Sequence, residues 1–564
     1  MITSSPERIE QYTQRGWWGN TTLHDLLWKH AAGHPDRLAV ADQPNRESFT
    51  DGPALRLSYA DLNAASGNLA CQLLDRGIGA GDIMIVQLPN IADLVVVYCA
   101  ASLIGAIISP VPVQYGPHEL GKACETLSPA AMIATGHMKD QPMAEMARNT
   151  MPDSVQVLVF GNCGVTGVTT LQLDTKFRQE NEDRIKKHLA SSSIDANSIV
   201  TICWTSGTTG TPKGVPRSHN MWLATGRTSS EAGDYRPDDR LLNPFPLVNM
   251  GALGGFFYPM MLYGCSLYLH HPFDPQMFLQ QMQNEKITFT IVPPAVLNQL
   301  AKAEDMWNQF DFSALRSVGS GSAPLAPWMI KIFGERYGKE VINFYGSNEG
   351  ISLFSTPETA TEPEVRATMF PRMGCAGMPW KSITHETVRT RVVKVDSEVE
   401  ITEPGQPGEL LFDGATVFDG YLGMGNEDVF TSDGWFRTGD LVEICGEPPN
   451  YYRIVGRCKD IINRGGMKIS PTEIDILLEG FAGLADGAVC AYPDERLGER
   501  VCACVVPQAG SEAPSLEQIN AYLLERGLAK FKLPEKLMLV DVLPRNPMNK
   551  VLRNELEELV KNNG

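Results

Sequence analysis

The stretch Thr205-Ser206-Gly207-Thr208-Thr209-Gly210-Thr211-Pro212-Lys213-Gly214 follows a short apolar run, 199–203, of strand length. It packs three glycines, four threonines, a serine and a lysine into ten residues. Glycine lets backbone N–H groups converge on an anion, hydroxyls add donors, and lysine adds a point charge. A strand opening into such a loop predicts a phosphate cradle on an α/β scaffold. The spacing is not G-x-x-x-x-G-K-[ST], and Pro212 precedes the lysine, so it is not the loop that motif describes. The plain alternative is a polar surface turn, because the same residue types dominate turns.

The scaffold is legible on both sides of the loop. Over 57–135 strand and helix signals alternate: Leu62, Ala65, Leu69 and Leu73 stand at helical spacing over 60–73, and Gly77 follows as a stop. Runs 83–88 and 106–111 read as buried strands with a helix over 91–105 between them. The rhythm returns at 273–292, where a helix leads into a strand over 287–292. Strands alternating with helices imply a parallel sheet covered by helices. Near Val455 the pattern changes. Ser470-Pro471-Thr472-Glu473 reads as a capping box with proline at the first helical position. Strands over 487–492 and 501–506, a helix over 515–526, a strand over 536–542 and a terminal helix follow, which is an α+β unit.

Composition narrows the class. With 564 residues, 43% hydrophobic and 20% charged, the chain is a folded protein of more than one domain. Sixty-six acidic residues against 48 basic ones give a net charge of −18, which disfavours a nucleic-acid partner. The twelve cysteines form no C-x-x-C pair, so a zinc ribbon or dithiol redox motif is not expected, and a reducing compartment is. The segment 94–108 is too short to span a membrane, and 251–269 carries four glycines and Pro259, which break helices. Both read as buried core. No transmembrane segment and a cytoplasmic location are the expectation.

Four further stretches complete a pattern: Tyr345-Gly346-Ser347-Asn348-Glu349; Trp435-Phe436-Arg437-Thr438-Gly439-Asp440; Gly456-Arg457-Cys458-Lys459-Asp460 with Gly465-Gly466 and Pro471-x-Glu473; and Pro544-Arg545-Asn546-Pro547-Met548-Asn549-Lys550. Together with the threonine-rich loop and its continuation Val215-Pro216-Arg217-Ser218-His219-Asn220, they closely resemble the signature motifs of the adenylate-forming superfamily, in the same order. That group includes acyl-CoA synthetases, aryl-acid ligases, peptide-synthetase adenylation domains and luciferases. The resemblance implies an α/β fold: a large N-terminal domain of parallel-type sheets with packed helices, residues 1–457, binding ATP and the acid. A small α+β domain, 458–564, would move on a hinge at Lys459 and carry the catalytic lysine.

The implied chemistry brings two anions together, since a carboxylate must attack the α-phosphate of ATP. The resemblance assigns catalysis to Lys550 and Glu349, and Mg2+ to Glu349 and Thr205. It assigns ATP to Thr205, Ser206, Gly207, Thr208, Thr209, Gly210 and Lys213; to Gly321, Ser322 and Ala323 against the adenine; to Phe344, Tyr345, Gly346 and Ser347; and to Asp440 and Arg457 at the ribose and phosphates. After adenylation the small domain would rotate, and Gly465 and Gly466 would let the arm of coenzyme A pass. Taken singly, each of these residues has a bland reading as a turn or solvated side chain.

Three positions depart from the family pattern. Asn348 stands where Thr or Ser is usual, Asn549 stands where glycine precedes the lysine, and Val248 and Asn249 replace an aromatic and a histidine in a segment, Pro246 to Gly251, that walls the acyl pocket. Asn249 and Gly251 are the expected pocket residues there. Residues 244–269 contain no Asp, Glu, Lys, Arg or His, which favours an apolar acid. Residues 12–23 and 494–500 look most like short- and medium-chain fatty-acyl-CoA and cyclohexanecarboxylate-CoA ligases, and are similar to aryl-acid activating enzymes. The lead expectation is therefore a ligase forming acyl-AMP and then acyl-CoA, its partners a small carboxylic acid and coenzyme A, with a homodimer compatible with it. The alternatives are an aryl-acid AMP ligase loading a carrier protein, and a non-catalytic nucleotide-binding scaffold. No G-x-S-x-G elbow occurs, so a serine hydrolase is not supported.

Overall fold

The computed structural model describes residues 3–161, 164–205, 212–395, 397–425, 428–465, 467–545 and 551–563. The chain forms two compact units, Met1–Arg389 with Asp413–Gly434, and Thr390–Phe412 with Trp435–Gly564. The sequence boundary at 457/458 thus falls inside the second unit, where the strand Tyr451–Arg457 passes into the turn Cys458–Asp460.

The first unit holds, among the described residues, two large sheets. One runs in the order Thr169–Leu171, Gln156–Phe160, Ala131–Thr135, Ile83–Gln87, Ile107–Pro110, Ile199–Trp204 and Gly214–Ser218. It is parallel throughout except for its last pair, which is the hairpin bearing the threonine-rich loop. The other has a parallel centre (Glu340–Gly346, Ser317–Gly321, Phe289–Ile291, Arg240–Asn243, Ser266–Leu269, Leu38–Ala41) and an antiparallel strand at each edge. Parallel sheets need both faces covered, and the helix Ala92–Ile104, buried at every residue, is part of that cover. Gly105, at φ 73°, closes that helix, since a left-handed residue there satisfies its last carbonyls without a Cβ clash.

The run 251–269 corrects the sequence reading. Gly251, Gly254, Gly255 and Pro259 do not break the helix: Met250–Ala252, a wide π turn Leu253–Phe257 and Tyr258–Tyr263 follow one another without interruption, and only Gly264, in the left-handed conformation, ends it. Pro259 stands directly after the wide turn, at the second residue of the last piece. Gly254 and Gly255 lie inside the wide turn, where a Cβ would come within 2.7 Å of Thr225 and 2.9 Å of Met250 and Ile291, so these side chains would have to shift to admit one. Among the described residues no helix is long and apolar enough to cross a membrane.

In the second unit an antiparallel sheet joins Phe436–Cys445 to Tyr451–Arg457 and to Gly408–Gly414. A second sheet pairs Leu484–Asp494 with Gly498–Pro507, with Lys536–Leu539 parallel to the latter. Helices Pro471–Leu478, Leu516–Glu525 and Arg553–Asn562 complete the α+β unit. The helix at Pro471 begins where the sequence places it, but not as a capping box. Ser470 Oγ donates to the Val455 carbonyl, and the Glu473 carboxylate accepts from Lys532 Nζ at 2.8 and 2.7 Å. Tertiary partners have taken both side chains that the local motif would use. No disulfide joins the eleven described cysteines.

Candidate active site

The hairpin neck is the starting point. Trp204 pairs with Gly214, Thr205 N donates to the Lys213 carbonyl at 3.0 Å, and Lys213 N donates to Thr205 Oγ1 at 3.2 Å. Ser206, Gly207, Thr208, Thr209 and Gly210 lie outside the described residues. The segment 413–422 is laced onto both this hairpin and the turn after Glu340–Gly346. Leu422 N donates to Gly214 O, Phe418 N donates to Glu349 O, and Thr416 Oγ1 donates to Gly350 O at 2.6 Å. Gly350 has to be glycine here: at φ 116°, a Cβ would run into the Thr416 carbonyl.

That lacing places Tyr421, 8% exposed, between two expected site residues. Its hydroxyl donates to Glu349 Oε1 at 2.7 Å, and Lys213 Nζ stands 4.6 Å from its ring centroid. The loop cation and the metal-type carboxylate are thus held by one aromatic side chain that no motif in the sequence singles out. The N-terminal helix Pro6–Gln14 braces the same segment. Arg8 Nη1 donates to Asp419 Oδ1 at 2.6 Å, Arg8 Nη2 to Val417 O at 2.7 Å, and Trp18 Nε1 to Ala415 O at 2.9 Å.

Asn348, the departure from the family pattern, uses both ends of its amide. Nδ2 donates to Trp204 O at 2.9 Å and Oδ1 accepts from Met250 N at 2.8 Å. A threonine hydroxyl is too short to bridge these two backbones. Asn249 acts locally as a helix cap, its Oδ1 accepting from Gly251 N at 3.1 Å and Ala252 N at 3.4 Å where the helix starts. Gly251 is exposed, while Met250 and Phe344 pack against the main core and Ile291 belongs to it.

Gly321 and Phe344 are paired on adjacent parallel strands, so the loops that follow both strands emerge at the same sheet end. Ligand crevices form at such carboxyl ends. Gly321 cannot carry a side chain, because its Cβ would fall on the Phe344 carbonyl. Ser322 follows at φ 67°, a left-handed conformation rare for a non-glycine residue, and is exposed with Ala323. Tyr345 and Gly346 end the next strand, and Ser347 Oγ is buried.

In the second unit Asp440, 5% exposed, pairs across the strands with Arg457, whose Nη1 donates to Asp440 Oδ1 at 2.7 Å. Thr438 Oγ1 accepts from Asp440 N at 3.0 Å, and the Glu409 carboxylate accepts from Gly439 N and Arg437 Nη1. Lys459 is exposed in the turn Cys458–Asp460. Gly465, at φ 58°, donates its N–H to Leu497 O at 2.7 Å. Gly466, Asn549 and Lys550 lie outside the described residues. The chain on either side of Lys550 is anchored: Arg545 Nη2 donates to Asp486 Oδ1 at 2.8 Å, and Arg553 pairs with Asp475.

The donors suit a hard divalent cation brought in on phosphates. Glu349 offers carboxylate oxygen and Thr205 a hydroxyl, whereas no group of three or more His, Cys, Asp or Glu among the described residues is placed to hold a metal alone. Magnesium keeps few protein ligands and takes the rest from water and phosphate.

A largely parallel α/β sheet, the hairpin neck at Thr205 and Lys213, and Tyr421 touching both Lys213 and Glu349 fit an adenylate-forming ligase. The chain belongs to the AMP-binding enzyme family: the profile of AMP-binding enzymes matches residues 27–422, and that of their C-terminal domain matches 473–550. It is 30% identical to a salicylyl-CoA synthase / salicylate adenylyltransferase of Streptomyces sp, over 98% of this chain and 96% of the relative. It is 28% identical to the medium-chain fatty-acid–CoA ligase of Escherichia coli, over 98% and 92%. The crystal structure of ATP-bound MatB from Rhodopseudomonas palustris matches with a TM-score of 0.76 at 26% identity, over 96% of this chain and 99% of that one.

Proposed function

We propose that this protein is an AMP-forming acid–thiol ligase for a carboxylic acid with an apolar tail, of short or medium chain or alicyclic. The acid carboxylate attacks the α-phosphate of ATP, pyrophosphate leaves, and coenzyme A then takes the acyl group as a thioester and releases AMP. The observation that carries this reading is the Lys213–Tyr421–Glu349 alignment beside the threonine-rich hairpin. It presents a fixed cation for phosphate and a fixed carboxylate for Mg2+, with Thr205 as a further oxygen ligand. The metal would neutralise phosphate charge there. Lys550 neutralises the charge that concentrates where the acid and α-phosphate meet. Asp440 accepts the ribose hydroxyls, Arg457 holds the nucleotide, and the backbone at Gly321, Ser322 and Ala323 accommodates adenine. Residues 458–564 move on Lys459 between the two half-reactions, and Gly465 and Gly466 leave room for the pantetheine arm.

The apolar acid rests on residues 244–269, which offer no charged partner to a polar tail. In a second reading, an aryl-acid AMP ligase loading a carrier protein, the aryl acid is supported by the relative named salicylyl-CoA synthase / salicylate adenylyltransferase, whose name gives coenzyme A and not a carrier as the acceptor. ATP–pyrophosphate exchange across fatty, alicyclic and aromatic acids separates the two, followed by thioester assays with coenzyme A and with a pantetheinylated carrier. Exchange confined to aromatic acids without acyl-CoA formation would replace the first reading by the second. No exchange with any acid would leave a nucleotide-binding scaffold.

A further inference from the structure

Arg217 is fully buried, and no carboxylate pairs with it among the described residues. Nη2 donates to Met221 O at 3.0 Å and Thr225 Oγ1 at 2.7 Å, which ties the guanidinium to the helix His219–Ala232. Nη1 donates to Asn348 O at 2.8 Å, the carbonyl of the peptide that carries Glu349. The guanidinium lies 4.3 Å from the ring centroid of Trp222, itself fixed by stacking on Tyr258 and by its Nε1 hydrogen bond to Thr201 Oγ1. Burial pushes its pKa down to about 10, opposed by nearby groups that include Glu349.

An unpaired buried cation is costly, and an apolar side chain of similar volume generally serves packing as well or better. Packing alone therefore does not account for a guanidinium here. Its planar fork does what neither methionine nor lysine can: it fixes a helix and one specific carbonyl at once. With the Asn348 side chain reaching Trp204 and Met250, the turn before Glu349 is held from three sides.

We propose that Arg217 is a positioning residue for Glu349, setting where that carboxylate meets a nucleotide-bound divalent cation. The proposal rests on the ligase reading for the use of the site, but its principal readout is binding. Free Mn2+, followed by its electron paramagnetic resonance signal, is titrated with protein and a non-hydrolysable ATP analogue. Arg217→Met should raise the Mn2+ dissociation constant about fivefold or more. It should also lower the rate of pyrophosphate exchange about tenfold, leaving KM for the acid within about twofold. Thr225→Val removes one acceptor and keeps the charge, so it should shift Mn2+ binding the same way by about twofold, and it serves if the methionine variant does not fold. A lower melting temperature with Mn2+ affinity unchanged would overturn the proposal, as would unaltered protein whose Mn2+ binding is indifferent to nucleotide. Unaltered protein that binds Mn2+ with nucleotide yet exchanges with no acid would instead refute the ligase reading.

Discussion

Tyr421→Phe isolates one hydrogen bond at the site. The hydroxyl donates to Glu349 Oε1 at 2.7 Å, and a bond to a charged group contributes about 1.5–3 kcal/mol. Glu349 is half-buried, so water replaces part of what is lost and the lower end applies. At about 1.4 kcal/mol per factor of ten, kcat/KM for Mg·ATP in pyrophosphate exchange should fall about tenfold. The phenylalanine ring remains under Lys213 and keeps its 4.9 Å edge contact with Phe418, so the melting temperature should hardly move. Tyr421→Leu removes the ring as well and loses a further 0.5–1 kcal/mol or so of cation–π attraction. The assay is exchange at limiting Mg·ATP with saturating acid, beside a thermal melt. If Tyr421→Phe stays within about twofold of the unaltered protein, the hydroxyl does not hold Glu349 in the working enzyme.

Other outcomes follow from the same geometry. Lys550→Ala should abolish pyrophosphate exchange while thioester formation from preformed acyl-adenylate survives; equal loss of both contradicts its assignment. Gly466→Trp should do the reverse, sparing exchange and blocking the thioester step. Gly321→Ala forces a Cβ onto the Phe344 carbonyl, and should lower the melting temperature and yield before any effect on nucleotide affinity is measurable. His219 is buried, its Nδ1 accepts from Leu23 N, and burial pushes its pKa down from 6.5 to about 3. The unfolded chain therefore binds the extra proton. Stability is complete above about pH 6.5 and falls by up to about 1.4 kcal/mol per unit as pH drops toward 3. Urea unfolding at pH 7, 6 and 5 should show that slope, and His219→Asn should flatten it by one histidine's share.

Much of the fold and site could be read along the chain because its determinants are local. Strand and helix periods announced the parallel sheet from Ile83 to Thr135, while the anion site expected from glycine, hydroxyl and lysine in one loop falls mostly on residues outside those described. What the linear order hid are contacts between distant segments. Gly254, Gly255 and Pro259 look like helix breakers, yet a surrounding apolar shell of Trp222, Thr225 and Ile291 stabilises a wide turn that solvent would not. Ser470 and Glu473 make a capping box on paper, but Val455 and Lys532 arrive from elsewhere and claim both side chains. Tyr421 lies in no quoted motif, and Arg217, though inside the stretch that continues the threonine-rich loop, has no role that spacing assigns. Their importance arises only when 413–422 folds across the hairpin and the strand Gly214–Ser218 brings a guanidinium, held by the helix His219–Ala232, under the turn at Asn348. Residue chemistry and spacing belong to the sequence; which carbonyl a buried donor meets depends on how segments as distant as Trp18 and Ala415 pack, and packing is a property of the whole.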